Sequence, residues 1–355
     1  MRSWGSVVIA LALAACGDDG KSVVDAPAGD SDGPCTTCVD TGVDAPFAPT
    51  TLADTGLCAD AACTTVQTDV REYAPQYQLY ADGSTKRRWI WLPPGTTIDT
   101  TDMNHWKFPV GTKVWKEFTR GTVRVETRFM TKLSSDDAAP GAWFYASYEW
   151  NAAQNATTLA SPQMGVPDAN GTQHDIPSRS NCRRCHEGVP GRVLGFQAIS
   201  LDFAAPAGQL DLADAIAANL LSAPPSPTNG PYFPFPAAAT VADRTAFGYL
   251  HANCGGCHNP QAPVYSALTS NMSLRLDVTK LGTVAMIPAR ATTVGNNGTV
   301  SGMNGPIVAP GNPGGSVMIM RMNSLTFPTK MPEIGTETTD PAGIAAITAW
   351  INQPP

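Results

Sequence analysis

The sequence predicts an α+β multidomain chain, with an N-terminal antiparallel β-sandwich-like domain followed by a mainly α-helical region. Three observations carry this. Period-two alternation dominates residues 73–150, with Gly and Pro turns between short runs. Helical spacing appears later, after Thr240 and again after Asp340. A proline-dense stretch, 224–236, separates the two textures.

At the N-terminus, Arg2 precedes a short apolar stretch, 5–12, too short to span a bilayer. Leu13-Ala14-Ala15-Cys16 then resembles the bacterial lipobox. This predicts a signal peptide over 1–15, a lipid on Cys16, and a chain anchored in the cell envelope, facing the periplasm or the exterior. Residues 1–60 carry Arg2 and Lys21 against nine aspartates, so they alone hold the net charge of −7. The neutral remainder has no basic patch suited to nucleic acid. Residues 17–48 are rich in Asp, Gly, Pro and Ser, so a solvated stalk is expected over 16–64.

A β domain is expected over 65–176. Trp89 and Trp91 alternate with Arg88, Ile90 and Leu92, and Pro93-Pro94-Gly95 ends that run. Val123, Val125, Thr127 and Phe129 share one face, and Arg124, Glu126, Arg128 and Met130 the other. Trp143, Tyr145 and Ser147 alternate with Phe144, Ala146 and Tyr148. So many aromatic residues suit a sandwich core; a carbohydrate-binding surface is the competing reading.

Residues 177–236 hold Cys182-Arg183-Arg184-Cys185-His186, and residues 237–355 hold Cys254-Gly255-Gly256-Cys257-His258. C-x-x-C-H is the signature of covalent c-type haem. Two thiols three residues apart reach both vinyl groups of one porphyrin, and the next His binds iron through its imidazole. A zinc knuckle or a redox dithiol is the bland alternative, but neither needs the trailing His. Two copies predict two covalently bound haem c groups, with His186 and His258 as proximal iron ligands. Cys16 and these four account for five of nine cysteines, leaving Cys35, Cys38, Cys58 and Cys63 with three disulfide connectivities.

The two motifs have different surroundings. No helical pattern precedes Cys182, and Pro177 argues against one. A helix is expected over 211–221, from Leu212, Ile216 and Leu220. Before the second motif, Thr240 and Asp243 fit a capping box, and Phe247, Leu250 and Cys254 share a stripe. Asp340 caps and Pro341 opens a last helix with Ile344, Ile347 and Ile351 on one side and Trp350 beside them. Met318, Met320 and Met322 read as core.

A helix running into C-x-x-C-H and a terminal helix with an aromatic near its end resemble a class I cytochrome c domain. That resemblance implies that the first and last helices cross beside the haem. It also implies that Met331, in Lys330-Met331-Pro332, supplies the sixth iron ligand, a soft thioether that raises the potential. The first motif has no Met or His over 187–250. Its sixth ligand is drawn from His174, Met164, His105, Met130 or His251, or is absent. His174 is favoured by its closeness in a polar loop, where a merely solvent-exposed imidazole is the alternative.

More broadly, the chain resembles a family of bacterial dihaem c-type cytochromes that join an N-terminal β region to a cytochrome c domain. The matching text is Tyr80-Ala81-Asp82-Gly83, Lys86-Arg87-Arg88-Trp89-Ile90, Trp106-Lys107-Phe108-Pro109-Val110-Gly111-Thr112, Tyr148-Glu149-Trp150-Asn151, Pro177-Ser178-Arg179, Tyr249-Leu250-His251-Ala252-Asn253-Cys254, Pro310-Gly311-Asn312-Pro313 and Met331-Pro332. The resemblance implies haem binding and electron transfer with redox partner proteins. A dihaem peroxidase-like or dehydrogenase-like enzyme with an open first haem is the alternative.

Overall fold

The computed structural model describes residues 49–226, 230–265, 271–300 and 302–354. The expectations for the signal peptide, Cys16, residues 17–48, Cys35 and Cys38 lie outside the described residues. Six strands come first: β1 (Arg71–Tyr73), β2 (Thr85–Trp91), β3 (Lys113–Arg120), β4 (Val123–Lys132), β5 (Trp143–Trp150) and β6 (Thr157–Leu159). They form one antiparallel sheet in sequential order. Gly121 starts the two-residue turn between β3 and β4 at φ +58°, which lets the turn follow the twist of the strands. Trp115 faces Trp89 on one neighbouring strand and Phe129 on the other, and Phe129 faces Ala146. Such cross-strand aromatic pairs lock the register.

The alternation is as expected, but the sandwich is corrected: these strands make a single sheet rather than two packed against each other. Alternation shows that both faces are buried, not what buries them. The outer face carries Trp89, Trp115, Phe129, Phe144, Tyr148 and Trp150, and Leu52, Leu57 and Cys58 close over it. Residues 49–64 are therefore packed structure, not the end of a stalk. Leu52 and Leu57 are fully buried, and Trp115 Nε1 donates to Thr55 Oγ1 at 2.9 Å. A Cys58–Cys63 disulfide closes this segment, so the short local loop is the one used.

The inner face carries Ile90, Val114, Met130 and Tyr145. Val193, Phe196, Leu201, Leu212 and Leu221, all after the first motif, pack on it. Parallel bridges at Tyr73–Leu210 and Ile98–Leu221 tie the same stretch to the β region. Residues 177–236 thus share one core with the sheet.

The remaining elements are α1 (Arg179–His186), α2 (Ala198–Leu201), α3 (Leu212–Ala217), α4 (Val241–Asn253), α5 (Pro288–Thr293), the hairpin β7 (Asn297–Val300) and β8 (Met303–Pro306), α6 (Val317–Met322) and α7 (Pro341–Ile351). The helix expected over 211–221 is shorter, and Asp211 and Asp214 form its capping box. α4 begins with the Thr240/Asp243 box as expected, and Asp340 caps α7 ahead of Pro341. α4 and α7 cross where Phe247 meets Trp350 edge to face, 5.3 Å between ring centres. A Cβ on Gly343 would fall 2.2 Å from Tyr249 Cζ, so any side chain there would have to displace the Tyr249 ring. Ile347, Ile351, Met318, Ile319 and Met322 complete this second core. Met318 and Met322 are core as expected, but on a helix, whose turn leaves Met320 half-buried outside it. Among the described residues, no helix is long and apolar enough to cross a membrane.

Candidate functional site

The first C-x-x-C-H segment lies on α1, which corrects the expectation that no helix leads into it. Ser178 is the N-cap and accepts from the Asn181 N–H at 3.3 Å. Pro177 stands one residue before that cap, where its missing N–H costs the helix nothing. Cys182 packs against the sheet core. His186 Nδ1 donates to the Arg192 carbonyl at 2.6 Å, which orients the ring and leaves Nε2 as the free donor atom. Burial pushes His186 down to about 4, so its imidazole is neutral at pH 7. The Tyr145 ring lies 5.5 Å from it, and the buried Tyr145 hydroxyl has no hydrogen-bond partner among the described residues.

The second segment begins where α4 ends. Cys254 is the C-cap, with its N–H on the Leu250 carbonyl, so Cys257 and His258 turn away from the helix axis. His258 is buried, and burial, with Arg321 nearby, holds it at about 4. Its Nδ1 is buried without a partner among the described residues.

The fold brings the two segments into main-chain contact, which their separation in sequence does not reveal. Asn259 Nδ2 donates to Gly255 O at 2.7 Å within its own segment and to Gly188 O at 2.9 Å beyond the other. The Cys185 and Cys257 thiols share a hydrogen bond that lowers Cys185 and raises Cys257. All four motif cysteines are free of disulfides and half-buried. A Cβ on Gly188 would sit 2.0 Å from the Gly256 carbonyl oxygen. Gly188→Ala must push main chain apart, an overpacking cost of about 1–3 kcal/mol, read as a lower urea midpoint at unchanged slope. An unchanged midpoint would mean that the segments separate freely.

Met331 lies in the loop after α6, half-buried, its N–H on the Arg321 carbonyl at 3.2 Å. The Arg321 guanidinium donates to Thr329 O and Pro328 O, pinning the loop. Met331 lines a cavity with Tyr80, Met322 and Tyr249, the last on the helix that leads into the second segment. Arg184, inside the first segment, pairs with Glu333 of this loop at 2.8 Å. Both side chains are partly exposed, so the pair adds little stability but marks how close the loop lies.

The residues weighed as a sixth ligand for the first segment fare differently. His174 is buried rather than exposed, with Nε2 2.9 Å from Glu126 Oε2 and Nδ1 3.3 Å from Ser84 Oγ. Both ring nitrogens are committed, which removes it as a ligand. His251 is committed too: Nδ1 accepts from the Leu276 N–H, and Nε2 lies 2.6 Å from the Gln197 amide. His105 pairs with Asp102, and Met164 is exposed. Met130 is buried on the inner face, opposite Tyr145.

Sequence reasoning missed Tyr145 and a row of cations on the inner face beside α1. Lys116 stands opposite Arg88 on β2 and Arg128 on β4. Arg128 forms a bidentate pair with Glu126. Burial, then Arg88, Arg128 and Lys86, push Lys116 well below the ordinary ammonium range. The one available signal was cations alternating with Ile90, Val114 and Met130 on strand positions that point inward.

No protein-family model, curated protein or solved structure matches this chain.

Proposed function

We propose that the chain is a dihaem c-type cytochrome lipoprotein that carries electrons outside the cytoplasm. The observation that carries the reading is the convergence of two C-x-x-C-H segments, each with two unpaired thiols and a neutral imidazole, half-buried at His186 and buried at His258. The residues present fit a covalently held haem. Each segment has a buried polar atom without a partner, Tyr145 Oη at one and His258 Nδ1 at the other. Such orphans are rare in folded proteins and call for a partner from outside the chain. Bound haem would supply one-electron exchange at iron.

The chain's own residues have separate tasks. Cys182, Cys185, Cys254 and Cys257 would hold the porphyrins by thioether bonds. His186 and His258 offer imidazole nitrogen, and Arg192 O fixes the His186 ring. Met331 lines a cavity with Tyr249 of α4 and would offer a soft thioether to the iron of the second site. Asn259 and Gly188 keep the two sites adjacent. The Cys16 anchor and the envelope location belong to this proposal, as do redox partner proteins.

Intact mass and a pyridine haemochrome assay on the purified chain test the reading directly. Two haems per chain are expected, and a bare polypeptide mass would sink it. Met331→Ala should lower the potential of one haem and open that site to carbon monoxide, seen as a new ferrous spectrum. An unchanged spectrum and potential would remove Met331 from this role.

One observation favours a second reading, a peroxidase-like or dehydrogenase-like enzyme. His174 and His251 are committed elsewhere, which favours an open first site. Carbon monoxide binding by the unmodified ferrous protein would support it, and no response would count against it.

A further inference from the structure

The inner face of the sheet is built around like charges. Arg88, Lys116 and Arg128 stand directly opposite one another across β2, β3 and β4, and Ser147 on β5 continues the row. Lys86 adds a fourth cation two residues from Arg88 on the same face. Like charges directly opposite each other destabilise a sheet. Among the described residues, Asp82 and Asp340 lie near Lys86, and the carboxylate opposite the rest of the row is Glu126, already shared between Arg128 and His174. Lys86 Nζ donates to the Leu79 carbonyl. That leaves Arg88, 4% exposed, and Lys116, whose ammonium lies over the Phe118 ring, without a hydrogen bond or ion pair from their charged groups among the described residues. Like charges held opposite one another, on a buried Arg88 and a half-buried Lys116, favour an anion that neutralises them.

The row ends at the first C-x-x-C-H segment. Lys116 and Arg128 both lie within electrostatic reach of Cys185 and His186. The orphaned Tyr145 hydroxyl, on the same face, adds a neutral donor.

We propose that Arg88, Lys116 and Arg128 form a binding site for carboxylate or oxoanion groups beside the first motif, and that with haem on Cys182 and Cys185 its occupants are the haem propionates. The second half rests on the cytochrome reading; the first half does not. Arg88 and Lys116 are positioning residues, setting the charge around the iron without ligating it.

The test is a redox titration of the full chain, with intact mass measured on each sample. The variants are Arg88→Gln with Lys116→Gln, and Lys116→Gln alone, since Lys116 is only half-buried and its loss spares the fold. Removing positive charge favours ferric iron. The double variant should shift one haem's ferric-to-ferrous ratio at least tenfold, about 59 mV for one electron, and the single variant in the same direction. Added sulfate should leave the wild-type potential unchanged if propionates fill the row. A sulfate-dependent potential in wild type that the variants lose would assign the row to a free oxoanion instead. Two haems with unaltered potentials and no sulfate response would overturn the site. Should the purified chain carry no haem, the cytochrome reading fails by itself. The site is then judged by whether sulfate raises Tm in wild type and not in the variants; equal responses would overturn it.

Discussion

Glu126→Ala should destabilise the chain by about 3–5 kcal/mol, because it strips the partner from a buried charge network. Glu126 is fully buried on the inner face. Burial by itself would raise its pKa, but Arg128, at 2.8 and 2.9 Å, and His174 outweigh that and hold the carboxyl at about 2. Removing it leaves the Arg128 guanidinium beside Arg88 and Lys116 without its paired carboxylate, and frees His174 Nε2 in a buried site. The pH dependence follows from the depressed pKa. An unfolded Glu titrates near 4.5, so the folded carboxylate contributes fully above that value. The contribution fades as pH falls toward 2. Urea unfolding of wild type and the isosteric Glu126→Gln should therefore show the widest gap above pH 5 and a narrowing gap down to pH 2. A constant gap over that range would show that the carboxylate's charge is not what stabilises the network.

On the proposed dihaem reading, replacing both Cys254 and Cys257 by Ser should remove one of two haems, halving the haemochrome absorbance per chain and lowering the intact mass by one haem. The surviving site is the first, because the two segments are anchored in different cores. Cys182 packs on the sheet core with Tyr145 and Met130, whereas Cys254 packs on the α4–α7 core with Phe247 and Trp350. Serine keeps the size of cysteine, so the end of α4 is not disturbed by bulk. The carbon monoxide response of this variant then reports the first site alone. A haem-to-chain ratio equal to wild type would show that these thiols hold no porphyrin, and total loss would show that the first site depends on the second.

Local features were legible residue by residue. Thr240 with Asp243 and Asp340 with Pro341 mark helix starts because capping is a contact over three or four residues. β2, β4 and β5 were legible because side chains alternate strictly along a strand. The helix over the first motif was missed because Pro177 was read as a breaker, although it stands just outside the N-cap, where proline is harmless. His174 and His251 stood among the candidate ligands because a histidine's sequence neighbours do not say which carboxylate or amide will meet it across the fold. Their partners Glu126 and Gln197 lie 48 and 54 residues away.

The sequence by itself determined the strands β2, β4 and β5, the helices α4 and α7, and two thiol–thiol–imidazole sets whose chemistry depends on spacing within five residues. Tertiary structure alone decided that the strands form one sheet, that residues 49–64 cover its outer face, and that Gly188 meets Asn259 and Gly256. It alone aligned Arg88, Lys116 and Arg128 in a row. The physical reason is range. Caps, alternation and motif spacing act over a few bonds of chain, whereas burial and charge pairing act between whatever surfaces the folded chain brings together.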